Sequence, residues 1–334
     1  MKWIVAVCMV GFLVAVTSAG RHQPVFEHHE EWQLWKSQHG KSYRSGLQEL
    51  ERHLVWVSNK EYIDRHNANA DVFGFSLAMN HFGDLSDNEF VDKYLSYTKS
   101  DKKKRNVKMF EAPEGVSYPE SLDWRTKGAV TSVKNQGDCG ASYAFSAIGS
   151  LEGALSLAQG KLTYLSEQNV IDCSVAYGNH GCQGGNMYNT YLYILSNDGI
   201  DTSDGYPFKG KQTSCTYDRS CRGTSISGSI AITSGSESDL QAAVASAGPV
   251  AVAVDGSSRA FRFYDYGLYN LPGCSSYQLS HALLITGYGS FNGNQYWLVK
   301  NSWGTNWGMS GYIMMTRNNY NQCGIATDAA YPTL

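Results

Sequence analysis

The sequence lacks the features that mark a nucleic-acid-binding, membrane or metal-cluster protein. Its net charge is −3 and its longest run of like charge, residues 102–105, is short, so no basic field favours nucleic acid. No apolar stretch beyond the N-terminus is long enough to cross a bilayer. The 8 cysteines contain no Cys-x2-Cys pair, which disfavours zinc, and we expect neither a metal nor a cofactor.

What remains is an ordinary globular composition. The chain has 334 residues, of which 42% are apolar and 17% charged, with 34 glycines and only 7 prolines. It shows no internal repeat and no low-complexity tract, which excludes collagen-like and disordered classes. The length suits two domains, or one domain preceded by a pro-segment.

The N-terminus is typical of an export signal. Lys2 precedes a mostly apolar stretch, residues 4–16, and then three small residues, 17–19. A helix over the apolar stretch would rise only about 20 Å, too little to span a bilayer. We predict a signal peptide over 1–19 and a protein that is secreted or held in a secretory vesicle, with no membrane anchor. In that oxidising route the cysteines after Cys8 should pair, with one left over.

A second boundary is predicted near residue 115. Every cysteine after Cys8 follows this point, and the charged run 102–105 leads to Ala-Pro-Glu-Gly at 112–115. A charged run followed by Pro and Gly is typical of an exposed linker. We predict a cleaved pro-segment over 20–117 and a mature domain over 118–334. A solvated loop with no role in processing is the alternative.

Within the pro-segment, five residues recur at helical spacing and so lie on one helix face. We expect this face to pack the pro-segment on the mature part, with the chain that follows crossing the candidate site. Packing on the pro-segment's own hairpin would give the same pattern. The five residues are Arg52, Trp56, Asn59, Ile63 and Asn67, and the segment Ala-Met-Asn-His-Phe-Gly-Asp follows at 78–84.

The candidate nucleophile is Ser142. Glycines and polar residues around Cys139 predict a tight turn, and the apolar pattern after Ser142 predicts a helix that ends at Gly160. Ser142 then lies at a helix N-terminus, where backbone N–H groups and the helix dipole favour developing negative charge. Serine is also a favoured N-cap residue, so a purely structural role is the alternative for this residue alone.

Two strand ends add an imidazole and an amide. His281 opens an apolar, β-branched run, and the predicted strand 294–300 leads into Asn301. A lone histidine or asparagine at a strand end is usually structural. With Ser142, however, they form the hydroxyl, imidazole and amide arrangement of nucleophilic catalysis. We expect a hydrogen-bonded line from Ser142 through His281 to Asn301, with links of about 2.6–3.2 Å.

These residues and the motifs around them resemble the papain-like cysteine proteases of the cathepsin L group along nearly the whole chain. The helix face and the segment 78–84 match the family's two propeptide motifs, apart from Gln48 where the first motif has Glu. Gly-Cys-Gln-Gly-Gly at 181–185 and Asn-Ser-Trp-Gly at 301–304 also match. Around the nucleophile the matches are Gln136, Gly137, Cys139, Gly140, Ala144 and Phe145.

Two departures from that family lie at the nucleophile itself. Ser142 stands where the family has cysteine, and Tyr143 stands where it has tryptophan. An engineered cysteine-to-serine change would have kept the tryptophan, so the pair looks natural. With the serine-bearing stretch 274–280 and the run 321–328, the sequence resembles the silicateins, the silica-depositing members of the family in sponge spicules.

The resemblance implies an α+β, papain-like fold of two lobes with a cleft between them, preceded by a helical inhibitory propeptide. One lobe is mainly helical, and the other is a β-barrel-like sheet built from segments near 250–255, 281–290, 294–300 and 311–316. The implied disulfides are Cys139–Cys182, Cys173–Cys215 and Cys274–Cys323. Cys221 is left over, as a buried or free thiol or as an intermolecular link.

The resemblance also assigns roles in the cleft. Ser142 would attack the substrate, a neutral His281 would act as general base, and Asn301 would orient the imidazole. Gln136 and the backbone N–H of Ser142 would stabilise charge on oxygen, and Trp303 would shield the imidazole.

The resemblance places Met187, Leu279 and Asp328 in the specificity pocket. Cathepsin L members usually have a small apolar residue where Asp328 stands, and a carboxylate there would disfavour large apolar side chains. Because an unpaired buried carboxylate is costly, Asp328 should be hydrated or paired. A side chain turned outward onto a surface loop is the alternative.

Three functions stay open. The first is a silica-polymerising enzyme that takes silicic acid or a silicon alkoxide, is inhibited by its own propeptide, and self-assembles into the axial filament of a spicule. The second is a catalytically silent scaffold, and the third is a weak serine-nucleophile peptidase. A hydroxyl-rich stretch fits silica, although a solvated loop would look alike; it contains Ser225, Ser227, Ser229, Ser234, Ser236 and Ser238.

Overall fold

The computed structural model describes residues 28–99 and 107–334 as an α+β protein with two lobes, which confirms the predicted fold. The predicted signal peptide and the charged run 102–105 lie outside the described residues. Serine and asparagine caps begin most of the longer helices. Ser86 and Glu89, for example, form a reciprocal capping box at the start of the fourth helix.

The α-helices are concentrated in the pro-segment and in the first half of the mature part. The described residues also contain short 3-10 turns at Val175–Tyr177, Gly181–Gln183, Arg219–Cys221 and Gln322–Gly324. The α-helices are α1 (His29–Gln38), α2 (Gly46–Asn67), α3 (Ala70–Phe73), α4 (Asp87–Tyr94), α5 (Ser142–Gln159), α6 (Glu167–Cys173), α7 (Met187–Ser196), α8 (Glu237–Ala247) and α9 (Arg259–Arg262).

Most strands lie in the second half of the chain. Four of them, β7, β9, β10 and β11, lie where the resemblance placed the segments of the sheet lobe. They are β1 (Phe75–Leu77), β2 (Lys108–Met109), β3 (Leu122–Asp123), β4 (Ile200–Asp201), β5 (Arg222–Thr224), β6 (Gly228–Ala231), β7 (Val250–Val254), β8 (Tyr264–Tyr269), β9 (His281–Phe291), β10 (Asn294–Lys300), β11 (Tyr312–Thr316) and β12 (Ala329–Thr333).

Nine strands form a continuous sheet in the order β1-β8-β11-β10-β9-β7-β12-β6-β2, and β3 pairs with β9 beside them. The two edge strands, β1 and β2, both come from the predicted pro-segment. β1 is antiparallel to β8, and β2 is parallel to β6. The predicted pro-segment therefore covers both edges of the sheet on which the mature part is built. The remaining two strands, β4 and β5, form a small antiparallel pair of their own.

Helix α5 lies at the centre of the molecule. Of its 18 residues 14 are buried, and a helix that is apolar on most sides belongs in a core. One face of α5 contributes Ile148 and Leu151 to the core of the helical lobe, which also contains Ile194 of α7. Another face lies on β9 and β12 of the sheet.

The pro-segment is docked on the sheet lobe by a buried arginine. Arg262 of α9 is 1% exposed, and its guanidinium donates to Asp87 Oδ1 at 2.7 Å and to Asn59 Oδ1 at 3.1 Å. It also donates to the carbonyls of Leu85 and Ser86 at 3.2 Å. Burial lowers the pKa of Arg262 to about 10, with Asp87 opposing that shift, so the group stays charged at neutral pH.

The residues of the predicted helix face lie on α2, and most of their contacts are with other residues of the pro-segment. Arg52 forms a two-bond ion pair with Glu89, at 2.6 and 2.7 Å. The side-chain amide of Asn67 donates to the carbonyl of Leu77 and accepts from its backbone N–H. Asn59 reaches the mature part through its bond with Arg262, and Ile63 is buried in the same hydrophobic cluster as the core of the sheet lobe. The face therefore packs partly within the pro-segment and partly on the mature part.

We predict that Arg262→Met lowers the free energy of unfolding of the full chain by about 2–3 kcal/mol, because Asp87, Asn59 and two carbonyls lose their donor. The matched control is Arg65→Met, which removes an exposed ion pair with Glu61 on α2 and should cost less than about 0.5 kcal/mol. Urea unfolding measures both. Equal losses in the two variants would show that Arg262 does not carry the docking.

Candidate active site

The first turn of α5 presents Ser142. The helix begins at Ser142 itself, and the preceding cap residue is Ala141, which makes no side-chain capping bond. Ser142 is therefore the first helical residue rather than a cap. The first N–H groups of a helix have no partner within it, so they and the helix dipole surround this hydroxyl with partial positive charge. The helix ends at Gly160 as predicted, with the positive φ of 69° that glycine accommodates.

Three residues along α5 fix it against the start of β9. Ser142 Oγ accepts a hydrogen bond from the backbone N–H of Ala282 at 3.2 Å. Ser146 Oγ donates to the carbonyl of Leu283 at 2.5 Å. Gly149 allows the closest approach, because a Cβ there would lie 2.8 Å from a methyl group of Leu284. The helix N-terminus is thereby held against the strand that starts at His281.

The imidazole and the amide meet at one end of an antiparallel strand pair. β9 starts at His281 and β10 ends immediately before Asn301, and the two strands run antiparallel. The start of one strand therefore lies beside the end of the other. His281 Nε2 and Asn301 Oδ1 are 2.9 Å apart, and both residues are buried.

The contacts of Asn301 assign the tautomer of the neutral imidazole. Asn301 Oδ1 also accepts the backbone N–H of Ser302 at 2.8 Å, so this atom acts as an acceptor for both neighbours. His281 Nε2 must then carry the proton. In the neutral ring the lone pair is on Nδ1, which is the atom a general base would use.

The expected hydrogen bond between Ser142 and His281 is not formed in this structure. Among the described residues Nδ1 has no hydrogen-bond partner, and the serine oxygen is instead bound by the Ala282 N–H. The backbone N–H of Ala282, the residue after His281, donates to Ser142 Oγ. The carbonyl of Tyr94 lies close to the imidazole. Of the expected line, only the link from His281 to Asn301 is present.

The surroundings of His281 favour its neutral form. Burial lowers the pKa of His281 to about 4, against the opposing effects of the Asn301 side chain and the Tyr94 carbonyl. Trp303 covers the ring, with centroids 4.5 Å apart and planes inclined by 32°. Phe82 and Phe90 of the pro-segment pack edge-on against Trp303, so the pro-segment contributes to this burial.

Gln136 lies in the same buried network. Its amide oxygen accepts from Ser302 Oγ at 2.6 Å, and Nε2 donates to the carbonyl of Cys139 at 2.9 Å. The amide group has two N–H donors, and the bond to Cys139 uses one of them. The backbone N–H of Gln136 also binds the carbonyl of Ser302, which ties the turn before α5 to the stretch that follows Asn301.

The three predicted pocket residues are buried, and a pro-segment tyrosine lies in the same apolar cluster. Asp328 is 0% exposed, so the alternative of an outward side chain does not hold. Tyr97 donates to Asp328 Oδ2 at 2.6 Å. Met187, Leu279 and Tyr188 belong with Tyr97 to the buried cluster of the helical lobe.

The pro-segment crosses the cleft as an extended strand after α4. Tyr97 pairs with Gly185 in a parallel bridge, and its backbone N–H binds the carbonyl of Ser280 at 3.1 Å. The backbone N–H of Thr98 donates to the carbonyl of Gly185 at 3.0 Å. Ser96 Oγ donates to the carbonyl of Gly140 at 2.6 Å. This segment lies over the turn before α5 and over the residue that precedes His281, so it blocks access to the site.

The disulfides are the three pairs that the resemblance implied. They are Cys139–Cys182, Cys173–Cys215 and Cys274–Cys323, and Cys221 is a free, half-buried thiol. The first pair lies beside the nucleophile turn. Tyr143, which replaces the family's tryptophan, donates its hydroxyl to the carbonyl of Gly181 at 2.9 Å and so holds that turn to the same stretch.

Sequence reasoning missed the residues of the pro-segment that occupy the site. The propeptide motifs predicted a crossing, but no pattern indicated which side chain enters the pocket, since Tyr94 and Tyr97 lie outside both motifs. The competing Ala282 N–H was also missed, because backbone donors leave no sequence signal.

Residues 28–99 and 107–334 contain neither a candidate metal cluster nor a candidate membrane helix. No group of three or more histidine, cysteine, aspartate or glutamate side chains in those ranges is placed to hold a metal ion. No helix in the same ranges is long and apolar enough to cross a membrane.

Comparisons with known proteins agree with this geometry. Residues 118–333 match the model of the papain family cysteine proteases, and residues 32–90 match that of the cathepsin propeptide inhibitor domain. A silicatein of Petrosia ficiformis is 49% identical over 91% of this chain and 94% of that protein. Cathepsin S of Bos taurus is 41% identical over the full length of both. The solved structure of procathepsin L 3 from Tenebrio molitor larval midgut superposes with a TM-score of 0.86 at 42% identity, covering 93% of this chain and 100% of that one.

We predict that His281 of the full-length chain stays neutral as the pH falls until about pH 4, because burial disfavours the charged ring. Nitrogen NMR of histidine-labelled protein, assigned with His281→Ala, should show a proton on Nε2 alone above that pH. A ring that protonates with a midpoint of 6.5 or higher would contradict the described environment.

Proposed function

The chain belongs to the papain family of cysteine proteases, and we propose that it is a silica-polymerising hydrolase that acts through Ser142, His281 and Asn301. Its substrates would be silicon alkoxides or silicic acid, and its setting would be biosilica deposition after secretion. The observation that carries this proposal is a serine at the nucleophile position beside an imidazole and an amide that keep their mutual hydrogen bond. The similarity to a silicatein supports it.

The starting protonation states of the nucleophile and the histidine distinguish this site from that of a cysteine protease. A cysteine at the helix N-terminus beside histidine would form a thiolate and an imidazolium. A serine hydroxyl is far too weak an acid for that, so His281 must start neutral and take the proton during attack. Burial keeps His281 neutral, and the bare Nδ1 of its neutral tautomer can accept that proton.

Peptide cleavage places harder demands on the same residues. Asn301 cannot compensate a forming imidazolium as a carboxylate would, so proton abstraction is less assisted. A cleft shaped for sulfur also holds the shorter-bonded oxygen farther from a scissile carbonyl, and a misplacement of about 1 Å can cost roughly 100-fold in rate. We therefore infer that peptidase activity is weak or absent.

Attack on silicon requires less exact positioning than attack on a peptide carbonyl, because a tetrahedral alkoxysilane can expand its coordination when a nucleophile approaches. His281 Nδ1 takes the proton of Ser142, and Oγ forms a bond to silicon. The Si–O bond to the leaving alkoxide breaks, and His281 returns the proton to that alkoxide, which leaves as an alcohol. Water or a silanol then attacks the silyl-enzyme with His281 again as base, giving a silanol or a siloxane and restoring Ser142.

The anionic silicon centre needs donors near Ser142. The first N–H groups of α5 and the remaining N–H of the Gln136 amide are the candidates, because they belong to the buried turn that carries the nucleophile. Before reaction Oγ must also be released from the Ala282 N–H and turn toward Nδ1. Removal of the pro-segment, which lies over both residues, makes room for that movement and for substrate.

The catalytic role predicts that Ser142→Ala and His281→Ala each lower silyl ether turnover by about 1,000-fold or more, with the double variant little worse than either single one. The assay uses chain that has been folded at full length and cleaved near residues 112–118, and uncleaved chain should be inactive. The matched control is Ser238→Ala, which removes an exposed hydroxyl of the serine-rich stretch and should leave turnover unchanged.

The scaffold alternative gives a different pattern. If both alanine variants of the site turn over silyl ethers and deposit silica at the wild-type rate, the site is vestigial. The hydroxyl-rich surface would then be the active element.

The retained protease geometry favours a second candidate, a residual peptidase, and leads to a separate prediction. Ser142→Cys should restore measurable cleavage of peptides, since a thiolate and imidazolium pair can form again beside the helix N-terminus. Fluorogenic peptides assayed on cleaved wild-type and variant chains test this, with Ser142→Cys/His281→Ala as control. Wild-type cleavage as fast as that of the cysteine variant would favour the peptidase.

A further inference from the structure

Four charged side chains form a cluster beside Asn301, where the helical lobe meets the sheet lobe. One carboxylate comes from α5 and one from α6, one ammonium group ends β10, and the other belongs to the stretch before Gln136. The four are Glu152, Glu167, Lys300 and Lys134. The carboxylates are 1% and 3% exposed, and Lys300 is 7% exposed. Buried charges are costly, so a cluster on the segments that carry Ser142, Gln136 and Asn301 indicates a role in the site.

Hydrogen bonds join the cluster into a chain that ends at Lys300. Lys134 Nζ donates to Glu167 at 2.5 Å and to Glu152 at 2.7 Å. Thr131 Oγ1 donates to Glu152 Oε2 at 2.6 Å and accepts from Lys300 Nζ at 3.1 Å. Lys300 Nζ also donates to the carbonyl of Thr131 at 2.8 Å. These two bonds use two of the three donors of the ammonium group.

A polar cavity connects this chain to Asn301. The cavity measures about 20 Å³, and its walls include all four charged side chains together with Asn301 and Ser302. A water molecule needs roughly 10–15 Å³ and two to four polar partners, so the cavity holds one water. Asn301 Oδ1 is shared by His281 and the Ser302 N–H. Its Nδ2 is buried and has no hydrogen-bond partner among the described residues.

We propose that this cavity binds one water molecule and that Lys300 is a positioning residue for Asn301 through that water. The water accepts from Asn301 Nδ2 and from the third N–H of Lys300, and it donates to the carboxylates of Glu152 and Glu167. Both lone pairs and both protons of the water are then used. The effect on turnover rests on the proposed function, whereas the orientation of Asn301 does not.

The orientation of Asn301 matters because it selects the tautomer of His281. If the amide were turned by 180°, Nδ2 would face the imidazole Nε2, and the neutral ring would have to carry its proton on Nδ1. Nδ1 could then no longer take the proton of Ser142. The Ser302 N–H favours the observed orientation at Oδ1, and the water favours it at Nδ2.

The protonation of Lys300 fits a positioning role. Burial lowers its pKa to about 8, with Lys134 adding to the shift and Glu152 and Glu167 opposing it. Because an exposed lysine has a pKa of about 10.4, the folded chain loses stability as the pH falls from about 10 to 8 and Lys300 gains its charge. At neutral pH the charged lysine therefore costs stability, which a residue kept only for structure would not do.

The direct test is a crystal structure of the full-length chain at a resolution that shows ordered water. We expect one water in the cavity, within about 3.2 Å of both Asn301 Nδ2 and Lys300 Nζ. A cavity water out of reach of Nδ2, or no ordered water there, would overturn the proposal.

The variant Lys300→Met tests the positioning role in the full-length chain. Proton exchange of the Asn301 side-chain amide should become about tenfold faster, and nitrogen NMR should detect a form of His281 with its proton on Nδ1. The midpoint of urea unfolding at pH 7 should not fall. A lower midpoint with unchanged amide exchange and tautomer would mean that Lys300 is merely structural. The matched control is Lys161→Met, which removes an exposed ammonium group and should change neither NMR signal.

Turnover of a silyl ether by cleaved chain gives the functional readout. Lys300→Met should lower kcat by about tenfold and change KM less than twofold, because Asn301 acts on the base rather than on substrate binding. Equal kcat in the variant and wild type would overturn the link from Lys300 to His281. Wild-type chain that does not turn over silyl ethers would contradict the proposed function alone, since the water and the NMR signals are measured without substrate.

Discussion

The contact between α5 and the start of β9 is the constraint on which the site depends. Ser142, Ser146 and Gly149 meet the three successive residues Ala282, Leu283 and Leu284. This contact joins the helical lobe to the sheet lobe and places a helix N-terminus beside His281. A larger side chain at Gly149 would have to displace the side chain of Leu284 from this contact. Positioning is the main contribution of the fold, since small displacements are costly in catalysis.

The pro-segment extends the sheet and fills the cleft at the same time. It supplies β1 and β2 at the two edges, and between them Tyr97 donates to the buried carboxylate of Asp328. Its burial of His281 contributes to the neutral imidazole, and the carbonyl of Tyr94 lies close to that ring. The full-length chain is therefore an organised but blocked site. His281 is neutral and its Nδ1 carries no proton, whereas Ser142 Oγ is bound by the backbone N–H of Ala282.

How much the sequence predicted depended on whether a residue's role is local or set by tertiary contacts. Local patterns of a few residues predicted three element boundaries that the structure confirms. One strand begins at His281, one ends just before Asn301, and the helix that begins at Ser142 ends just before Gly160. The α2 face was harder, because periodicity shows that a face is buried without showing what buries it. Two contacts join segments that are far apart in sequence, and no local pattern encodes them. They are the hydrogen bond from the Ala282 N–H to Ser142 and the hydrogen bond from Tyr97 to Asp328.

The central claim is that Ser142 bonds covalently to silicon, and trapping that bond tests it most directly. Cleaved chain is incubated with a bulky, slowly released tert-butyldimethylsilyl ether, quenched with denaturant at neutral pH, and examined by peptide mass spectrometry at neutral pH. The account predicts one silyl group on the peptide containing Ser142, absent in Ser142→Ala and strongly reduced in His281→Ala. Turnover with no adduct on Ser142, or adducts spread over surface serines and unchanged in His281→Ala, would contradict it.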